Sequence, residues 1–333
     1  MPAEPLAAQG AVDAAGRRTR PLDITVLMGG PGSEREVSFM SGRAVAEALR
    51  RCGHRVTTAD VGPEDTAALD REGIETVFVA LHGAFGENGQ VQRLCEQRGL
   101  CYVGSDPSAS ELAMDKDASK RLFRRAGLAT PDWVVVDGAL SPPDWGGLLA
   151  GVPPPCVLKP VDGGSSVDIT IARDDATRDA ALEGLLARYG RAMVEAFIEG
   201  REMTVGILAD RPLPVVEIRP AREFYDYVAK YEDDATEYIL DTQLPPAAVE
   251  HLRAAAVTAH KALGCRDFSR VDFILTPAGV AHVLEVNTIP GFTSHSLLPK
   301  AAAAANVSFE QLCDRIVQLA LNRSPGGRPP PGG

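Results

Sequence analysis

The sequence predicts an α/β protein with an N-terminal parallel sheet and two further domains that are α+β in character. Strand-length apolar segments alternate with helical segments over residues 22–81, an order that is typical of a parallel sheet. Later in the chain a Pro-rich linker, a Gly-Ser loop and a hairpin separate shorter strands. We place the domains at residues 21–110, 111–190 and 191–322, with unstructured tails at 1–20 and 323–333.

The composition of the chain argues against nucleic acids and anionic membranes as binding partners. The chain has 333 residues, a formal net charge of −11 and an apolar fraction of 45%. An acidic protein of this kind does not offer a surface for nucleic acid or for an anionic membrane. The six cysteines show no CxxC spacing, no apolar segment reaches transmembrane length, and residues 1–20 lack the apolar core of a secretory signal. We therefore expect reduced cysteines and a cytoplasmic protein.

The first domain offers two candidate binding loops. The first strand, at residues 22–28, leads into a glycine loop, and Ser33 with Glu36 then forms a predicted capping box for a helix that ends near Arg51. Ligands of parallel sheets bind at the carboxyl ends of strands. The glycine loop and His82 both fall at such ends. The loop lacks the G-x-G-x-x-G pattern, so a nicotinamide nucleotide is disfavoured.

The second domain carries a candidate phosphate loop. Lys159 ends a predicted strand, and the residues 162–166 that follow, Asp-Gly-Gly-Ser-Ser, are small or polar. Backbone amides of such a loop can close around a phosphate. The loop lacks the G-K-[ST] ending of a P-loop, and an ordinary mobile turn is the alternative.

A long polar segment and a hairpin dominate the third domain. Residues 223–241 are charged, Tyr-rich and without apolar periodicity, which is typical of a functional lid. Helices are predicted at 246–263, where Gly264 ends the helix, and at 309–321.

The hairpin between these helices contains the most informative group of side chains. With a four-residue loop at 277–280, Asp272 lies opposite Glu285 and Arg270 lies opposite Asn287. Two carboxylates about 4 Å apart repel by about 4 kcal/mol at an effective dielectric near 20, so a cation between them is expected. Carboxylate and amide oxygens suit Mg²⁺. The hairpin therefore indicates a phosphoryl-transfer centre, and a solvated hairpin with an ordinary Arg–Asp pair is the alternative.

These segments together resemble the D-alanine–D-alanine ligase family of the ATP-grasp superfamily. The similarity extends in order over about residues 22–322. The matching residues are Gly29-Gly30, 33–38, 80–83, 114–116, Lys159-Pro160, 164–167, 224–227, 229–231, 270–272, 284–288, Pro290-Gly291 and 293–297.

The resemblance implies an ATP-grasp fold, with ATP held between the second and third domains. The implied ATP contacts are Lys116, Lys159, Ser165, Glu195, Phe197, Ile198, Glu202 and Lys230. Of these, the lysines and Ser165 are expected at the phosphates, Glu195 and Glu202 near the adenine and ribose, and Lys230 on the lid.

The resemblance also implies the catalytic residues and the ligands. Asp272, Glu285 and Asn287 resemble the ligands of two Mg²⁺ or Mn²⁺ ions. Arg270 and the Gly291 amide resemble the pair that stabilises the tetrahedral oxyanion. The remaining roles are Glu34 at the ammonium of the first D-alanine and hydrogen-bonded through Ser165 to Tyr231, His82 near that substrate, and Ser296 with Leu297 at the carboxylate of the second D-alanine.

Three positions depart from the family pattern. Asp168 stands where Gly is usual, Ala196 where many members have Lys, and Asn88 where Asp is common. The first two put the flexibility of the phosphate loop and the affinity for adenine in question.

The resemblance implies an ATP-dependent ligase that makes D-alanyl-D-alanine for peptidoglycan precursors through an acyl phosphate, and a homodimer. The Tyr at position 231 is, by analogy, associated with D-alanine rather than D-lactate as second substrate. Two alternatives stay open. One is an ATP-grasp ligase that joins D-alanine to D-lactate or D-serine, or joins other amino acids; the other is a nucleotide-binding regulator without turnover.

Overall fold

The computed structural model describes residues 20–140, 142–164, 168–220, 236–293 and 296–323. It confirms the predicted fold class, with one parallel and two antiparallel sheets. The predicted tails lie almost wholly outside the described residues. Arg323, which we assigned to the second tail, is instead anchored by an ion pair of 2.7 Å with Asp267.

The N-terminal domain contains the predicted parallel sheet. Its strand order is β2-β1-β3, and both neighbours of β1 run parallel to it. Its elements are β1 (Asp23–Met28), α1 (Arg35–Arg51), β2 (Arg55–Asp60), a 3₁₀ turn (Ala67–Asp70), β3 (Thr76–Val79), α2 (Ala84–Glu87) and α3 (Gln90–Gln97).

The predicted capping box of α1 is wrong. Residues 31–34 form bends and turns, so the helix begins at Arg35 with Glu34 at the cap position and no side-chain capping bond.

The central domain is built on a four-stranded antiparallel sheet of order β4-β7-β5-β6. Its elements are α4 (Pro107–Met114), α5 (Lys116–Arg125), β4 (Trp133–Asp137), α6 (Pro142–Leu149), β5 (Cys156–Pro160), β6 (Thr170–Ala172), α7 (Asp175–Tyr189) and β7 (Arg191–Ala196). Because β7 pairs with both β4 and β5, this sheet extends to Ala196 and not to residue 190 as the predicted boundary implies.

The third domain is built on a five-stranded antiparallel sheet of order β10-β9-β8-β11-β12. Its elements are β8 (Arg201–Leu208), β9 (Arg211–Arg219), β10 (Glu237–Ile239), α8 (Pro246–Ala262), β11 (Phe268–Leu275), β12 (Ala281–Asn287), α9 (Leu297–Ala304) and α10 (Phe309–Leu321). The end of the predicted lid thus forms an edge strand, while residues 221–235 of the lid lie outside the described part of the chain.

Apolar packing joins the first and third domains. One buried cluster combines β1 and α1 with β9, α9 and α10. Phe292 makes edge-to-face contacts with Phe78 and Phe268, at centroid distances of 5.4 and 5.5 Å. Aromatic contacts of this kind add about 0.5–1.5 kcal/mol each beyond the area that they bury. The loop after β12 is therefore held against the parallel sheet.

All six cysteines are free thiols. Burial raises the pKa of Cys95 and Cys265 to about 12, which keeps these thiols protonated and unreactive. Over the described residues, we find no helix with both the length and the apolar character needed to cross a membrane.

Candidate active site

The hairpin β11–β12 has the register that the sequence predicts at its functional end. Arg270 pairs with Asn287, and Asp272 pairs with Glu285. The turn, however, has three residues, Pro277–Gly279, because the Thr276 amide donates to the Val280 carbonyl at 3.0 Å. A bulge just beyond Asp272, where Phe273 pairs with Val283, restores the register by inserting one residue in β12. The four polar side chains therefore lie opposite one another as expected.

The guanidinium of Arg270 is held against the carboxylate of Asp272. Its Nε lies 2.9 Å from Oδ1 and its Nη2 lies 2.7 Å from Oδ2, a two-pronged ion pair. The hydroxyl of Thr204 on β8 donates to Asp272 Oδ1 at 2.6 Å. The side chains of Arg270 and Asp272 are only 12% and 10% exposed, so the pair is not the solvated surface pair of the alternative interpretation.

A cavity of about 420 Å³ lies between the central and third sheets. A volume of this order suits a nucleotide or a drug-sized ligand. It brings together six predicted ATP contacts and two predicted metal ligands: Lys116, Lys159, Glu195, Phe197, Ile198, Glu202, Asp272 and Glu285.

Two lysines hold the carboxylate of Glu195 inside this cavity. Lys159 Nζ lies 2.6 Å from Oε1, and Lys120 Nζ lies 2.6 Å from Oε2 and 2.8 Å from the Thr130 hydroxyl. Burial by itself raises the pKa of Glu195, but the charges of Lys159 and Lys120 outweigh it and lower the pKa to about 2. Glu195 is thus the counter-ion of two lysines, a role that the sequence-based assignment to adenine or ribose did not include.

Lys116 occupies the opposite wall of the cavity, at the start of α5. Its ammonium donates to the carbonyl of Gly163, at the beginning of the predicted phosphate loop. Burial lowers the pKa of Lys116, and the charge of Glu285 opposes that effect. A buried ammonium that lines the cavity is well suited to receive a phosphate.

Glu34 and His82 meet at the carboxyl ends of β1 and β3. A Cβ on Gly83 would lie 3.0 Å from Glu34 Oε2, so the carboxylate lies against the loop that carries His82. Both side chains belong to buried residues. The structure therefore brings together the two residues assigned to the first substrate.

Gly291 and Ser296 meet at the start of α9. A Cβ on Gly291 would lie 2.6 Å from Ser296 Oγ, so any larger residue would require the Ser296 side chain to move. The Ser296 hydroxyl accepts from the Thr293 amide at 3.0 Å and does not cap α9. The first amides of a helix without a side-chain cap can bind an anion such as a carboxylate.

Three predicted site residues, Ser165, Lys230 and Tyr231, lie outside the described residues. The hydrogen-bond chain from Glu34 through Ser165 to Tyr231 stays a prediction.

Asp168, which departs from the family pattern, has a defined role. Its φ of +56° is in the left-handed region that favours glycine. Its carboxylate is bonded to Arg188 and to the hydroxyl of Tyr189 at the end of α7, which compensates for the unfavourable backbone conformation. The other departure in this domain, Ala196, lines the cavity.

Lys120 and Ser41 are two of the polar residues at the site to which the sequence assigned no role. Lys120 lies one turn after Lys116 on the same face of α5, and this spacing was its only signal. Ser41 bonds His82 and the loop after β12, a long-range contact for which the local sequence carries no signal.

The donor set on the hairpin fits a hard divalent cation. Within the described part of the chain, no three His, Cys, Asp or Glu side chains are grouped closely enough to hold a metal by themselves. Mg²⁺ at nucleotide sites is usually bound by one or two carboxylates together with phosphates, and Asp272 with Glu285 supplies such a pair. Asn287 Oδ1 accepts from the Ile289 amide at 2.9 Å, which fixes the orientation of this third oxygen donor.

Comparisons with known proteins agree with this geometry. The family model "D-ala D-ala ligase C-terminus" matches residues 122–318. The D-alanine–D-alanine ligase of Syntrophotalea carbinolica is 44% identical over 302 residues, which are 90% of this chain and 96% of the relative.

Solved structures show the same architecture. The D-alanine–D-alanine ligase from Bacillus anthracis complexed with ATP has a TM-score of 0.79 at 33% identity, covering 91% of this chain and 98% of that one. The VanG D-Ala:D-Ser ligase from Enterococcus faecalis has a TM-score of 0.79 at 30% identity, covering 90% of this chain and 100% of that one.

The fold and the cavity between its two antiparallel sheets define an ATP-grasp protein. Lysines line that cavity, and the carboxylates of the hairpin face it. The chain belongs to the D-alanine–D-alanine ligase family.

Proposed function

We propose that the chain is an ATP-dependent ligase that joins two D-alanines into D-alanyl-D-alanine for peptidoglycan precursors. The observation that carries this proposal is the register of the hairpin, which places Asp272 and Glu285 in the wall of a cavity lined by lysines, with Arg270 paired to Asp272. This arrangement combines charge stabilisation for a phosphoryl group with a guanidinium for an oxyanion.

The cavity holds ATP in this proposal. Lys116 and Lys159 bind the phosphates, with Ser165 and Lys230 as further contacts. Phe197 and Ile198 form an apolar wall for adenine, and Glu202 accepts from the ribose hydroxyls. Glu195 keeps the Lys159 ammonium in place until a phosphate of ATP becomes its second anionic partner.

Asp272, Glu285 and Asn287 would hold two Mg²⁺ or Mn²⁺ ions together with the phosphates. Such ions would supply positive charge to neutralise what develops on the transferring phosphoryl group. The Arg270 side chain and Thr204 fix the Asp272 carboxylate before the nucleotide arrives, so its orientation requires no reorganisation.

The first chemical step activates the first D-alanine. Glu34 binds its ammonium and His82 lies beside it. A carboxylate oxygen of the amino acid attacks the γ-phosphorus of ATP, the bond to the β-phosphate oxygen breaks, and ADP leaves. The product is an acyl phosphate, which water would hydrolyse, so closure of the site by the segment 223–241 protects it.

The second step forms the peptide bond. The amine of the second D-alanine attacks the acyl carbon, and the carbonyl oxygen becomes an oxyanion that Arg270 and the Gly291 amide stabilise. The oxyanion collapses, phosphate leaves with the bonding electron pair, and the proton of the amine passes to the departing phosphate. The N-terminus of α9, with Ser296 and Leu297, binds the carboxylate of the second D-alanine.

A D-alanine–D-serine ligase is the second candidate, because the similar VanG protein from Enterococcus faecalis is a D-Ala:D-Ser ligase. The two activities differ in the second substrate only, and the residue expected to discriminate between them, Tyr231, lies on the predicted lid. A homodimer stays a prediction from the resemblance.

The proposed function is tested by ADP formation with ATP, Mg²⁺ and single amino acids. We expect D-alanine to stimulate ADP formation at least about tenfold over L-alanine, since a site that hydrogen-bonds one enantiomer leaves polar groups unpaired with the other. The product should be the dipeptide by mass spectrometry. ATP binding without any ADP formation that depends on D-alanine would instead favour the regulator without turnover.

A second arm of the same assay offers D-alanine with an equal amount of D-serine or D-lactate. We expect D-alanyl-D-alanine to be the main product at neutral pH. A majority of D-alanyl-D-serine or depsipeptide would contradict the assignment of the second substrate.

A further inference from the structure

A buried chain of hydrogen bonds joins the first-substrate side of the site to the loop that contains Gly291. Ser41, on the inner face of α1, lies at its centre with no exposed surface. Its hydroxyl oxygen lies 2.9 Å from His82 Nε2 and accepts from the Phe292 amide at 3.2 Å. One serine from the first domain thus contacts both His82 and the loop after β12.

For a neutral imidazole, one arrangement of protons uses all of these contacts. A serine hydroxyl has one proton to donate and two lone pairs to accept with. When Ser41 donates to His82 Nε2 and accepts from Phe292, the histidine carries its proton on Nδ1, which lies 3.7 Å from Glu87 Oε1. The opposite tautomer would direct an unprotonated Nδ1 at a carboxylate. The contacts therefore select the tautomer with Nδ1 protonated.

The same contacts restrain the loop after β12, which contains Gly291, the proposed oxyanion donor. This segment is called the oxyanion loop below. The Phe292 amide belongs to the peptide plane between Gly291 and Phe292, so the bond to Ser41 fixes the rotation of Gly291 about its Cα–C bond. The Phe292 ring is packed between Phe78 and Phe268, and a Cβ on Gly291 would collide with Ser296 Oγ at 2.6 Å. Packing holds the ring, and Ser41 supplies the hydrogen bond that holds the backbone.

We propose that Ser41 is a positioning residue, which fixes the His82 tautomer and couples it to the orientation of the Gly291–Phe292 peptide. Ser41 acts through these two groups. It sets the wall of the first D-alanine site and the oxyanion loop in one geometry, so that the acyl carbon formed at the first site meets the Gly291 amide. This role rests on the proposed ligase function of the same site.

The test compares Ser41→Ala with Ser269→Ala as a matched control. Ser269 is also fully buried, and its hydroxyl also bonds an imidazole, His260 Nδ1 at 2.7 Å, but that histidine is not one of the proposed site residues. Loss of geometry at a reacting centre costs about 10-fold to 100-fold in rate. We expect Ser41→Ala to lower kcat by about that factor with the KM for ATP within about twofold, and Ser269→Ala to keep kcat within about twofold. Ser41→Cys, which keeps a weak donor and acceptor of similar size, should be intermediate.

Hydrogen exchange provides a readout that does not depend on activity. We expect the Phe292 amide to exchange faster in Ser41→Ala than in the wild type, and to be unchanged in Ser269→Ala. A kcat within twofold in Ser41→Ala, or an equal fall in both variants, overturns the proposal. If Ser41→Ala does not fold, Ser41→Cys decides by the same comparison.

The failure of this proposal can be told from the failure of the ligase function. If the wild type forms ADP with D-alanine and Ser41→Ala does so equally well, only the role of Ser41 is wrong. If the wild type shows no such activity, the ligase function is wrong, and the exchange rate of Phe292 alone decides whether Ser41 orients the loop.

Discussion

Arg270→Ala is expected to lower kcat by about 10²–10³, while the KM for ATP changes little. The guanidinium is fixed by two bonds to Asp272 and needs no reorganisation when the oxyanion forms, which is the condition under which one donor contributes about 2.7–4 kcal/mol to a transition state. Steady-state kinetics with D-alanine as the varied substrate measures this change.

Arg253→Ala is the control for the Arg270 substitution. Arg253 also pairs with an acid of its own element, Glu250 at 2.7 Å, but neither Glu250 nor its other partner, the Pro212 carbonyl, is a proposed site residue. Its removal should leave kcat within about twofold. Arg270→Lys keeps the charge without the two-pronged geometry and should recover only part of the rate. An unchanged kcat in Arg270→Ala would exclude this residue from the chemistry.

Glu195→Gln is expected to lower the free energy of unfolding by about 3–5 kcal/mol, because it leaves two buried ammonium groups without their shared anion. The melting temperature should fall by about 10 °C. Thermal denaturation of the ligand-free protein measures this fall.

Glu217→Gln is a matched control, since Glu217 also lies between two cations, but those cations, Arg201 and Arg219, are 37% and 58% exposed. Its effect should be about 1 kcal/mol or less. Equal losses in the two variants would show that burial of the lysines is not the cause.

The effect of Glu195→Gln also has a defined pH dependence. The pKa of Glu195 in the folded protein, about 2, is below its ordinary value of 4.5. Its contribution to stability is therefore complete above about pH 4.5 and is lost as the pH falls toward 2. The difference in melting temperature between the wild type and the variant should shrink over that interval. A constant difference from pH 5 to pH 2 would contradict the ion-pair explanation.

Local patterns predicted the parts of the site that lie within one or two adjacent elements. The alternation of polar and apolar residues in β11 and β12 set the faces of Arg270, Asp272, Glu285 and Asn287, since the side-chain period of a strand is two. The β-α-β order likewise predicted the parallel sheet, and its loops placed Glu34 near His82.

Contacts between distant elements could not be read from the sequence. Lys120, Glu195 and Lys159 come from α5, β7 and β5, and only the packing of these elements makes them an ion cluster. The link from Ser41 to Phe292 spans most of the chain in the same way. The place of β7 in the central sheet could not be read from the sequence for a related reason, because the partners of a strand are decided by sheet pairing and not by its own residues.

The bulge beside Asp272 separates the turn of the hairpin from its active face. The strand register on the active side of the bulge differs by one residue from the register near the turn. The single additional residue in β12 accounts for this difference. A turn one residue longer would make the bulge unnecessary and still leave Asp272 across from Glu285. The pairing of Asp272 with Glu285 therefore does not depend on the length of the turn, and a change of turn length would leave the active face unchanged.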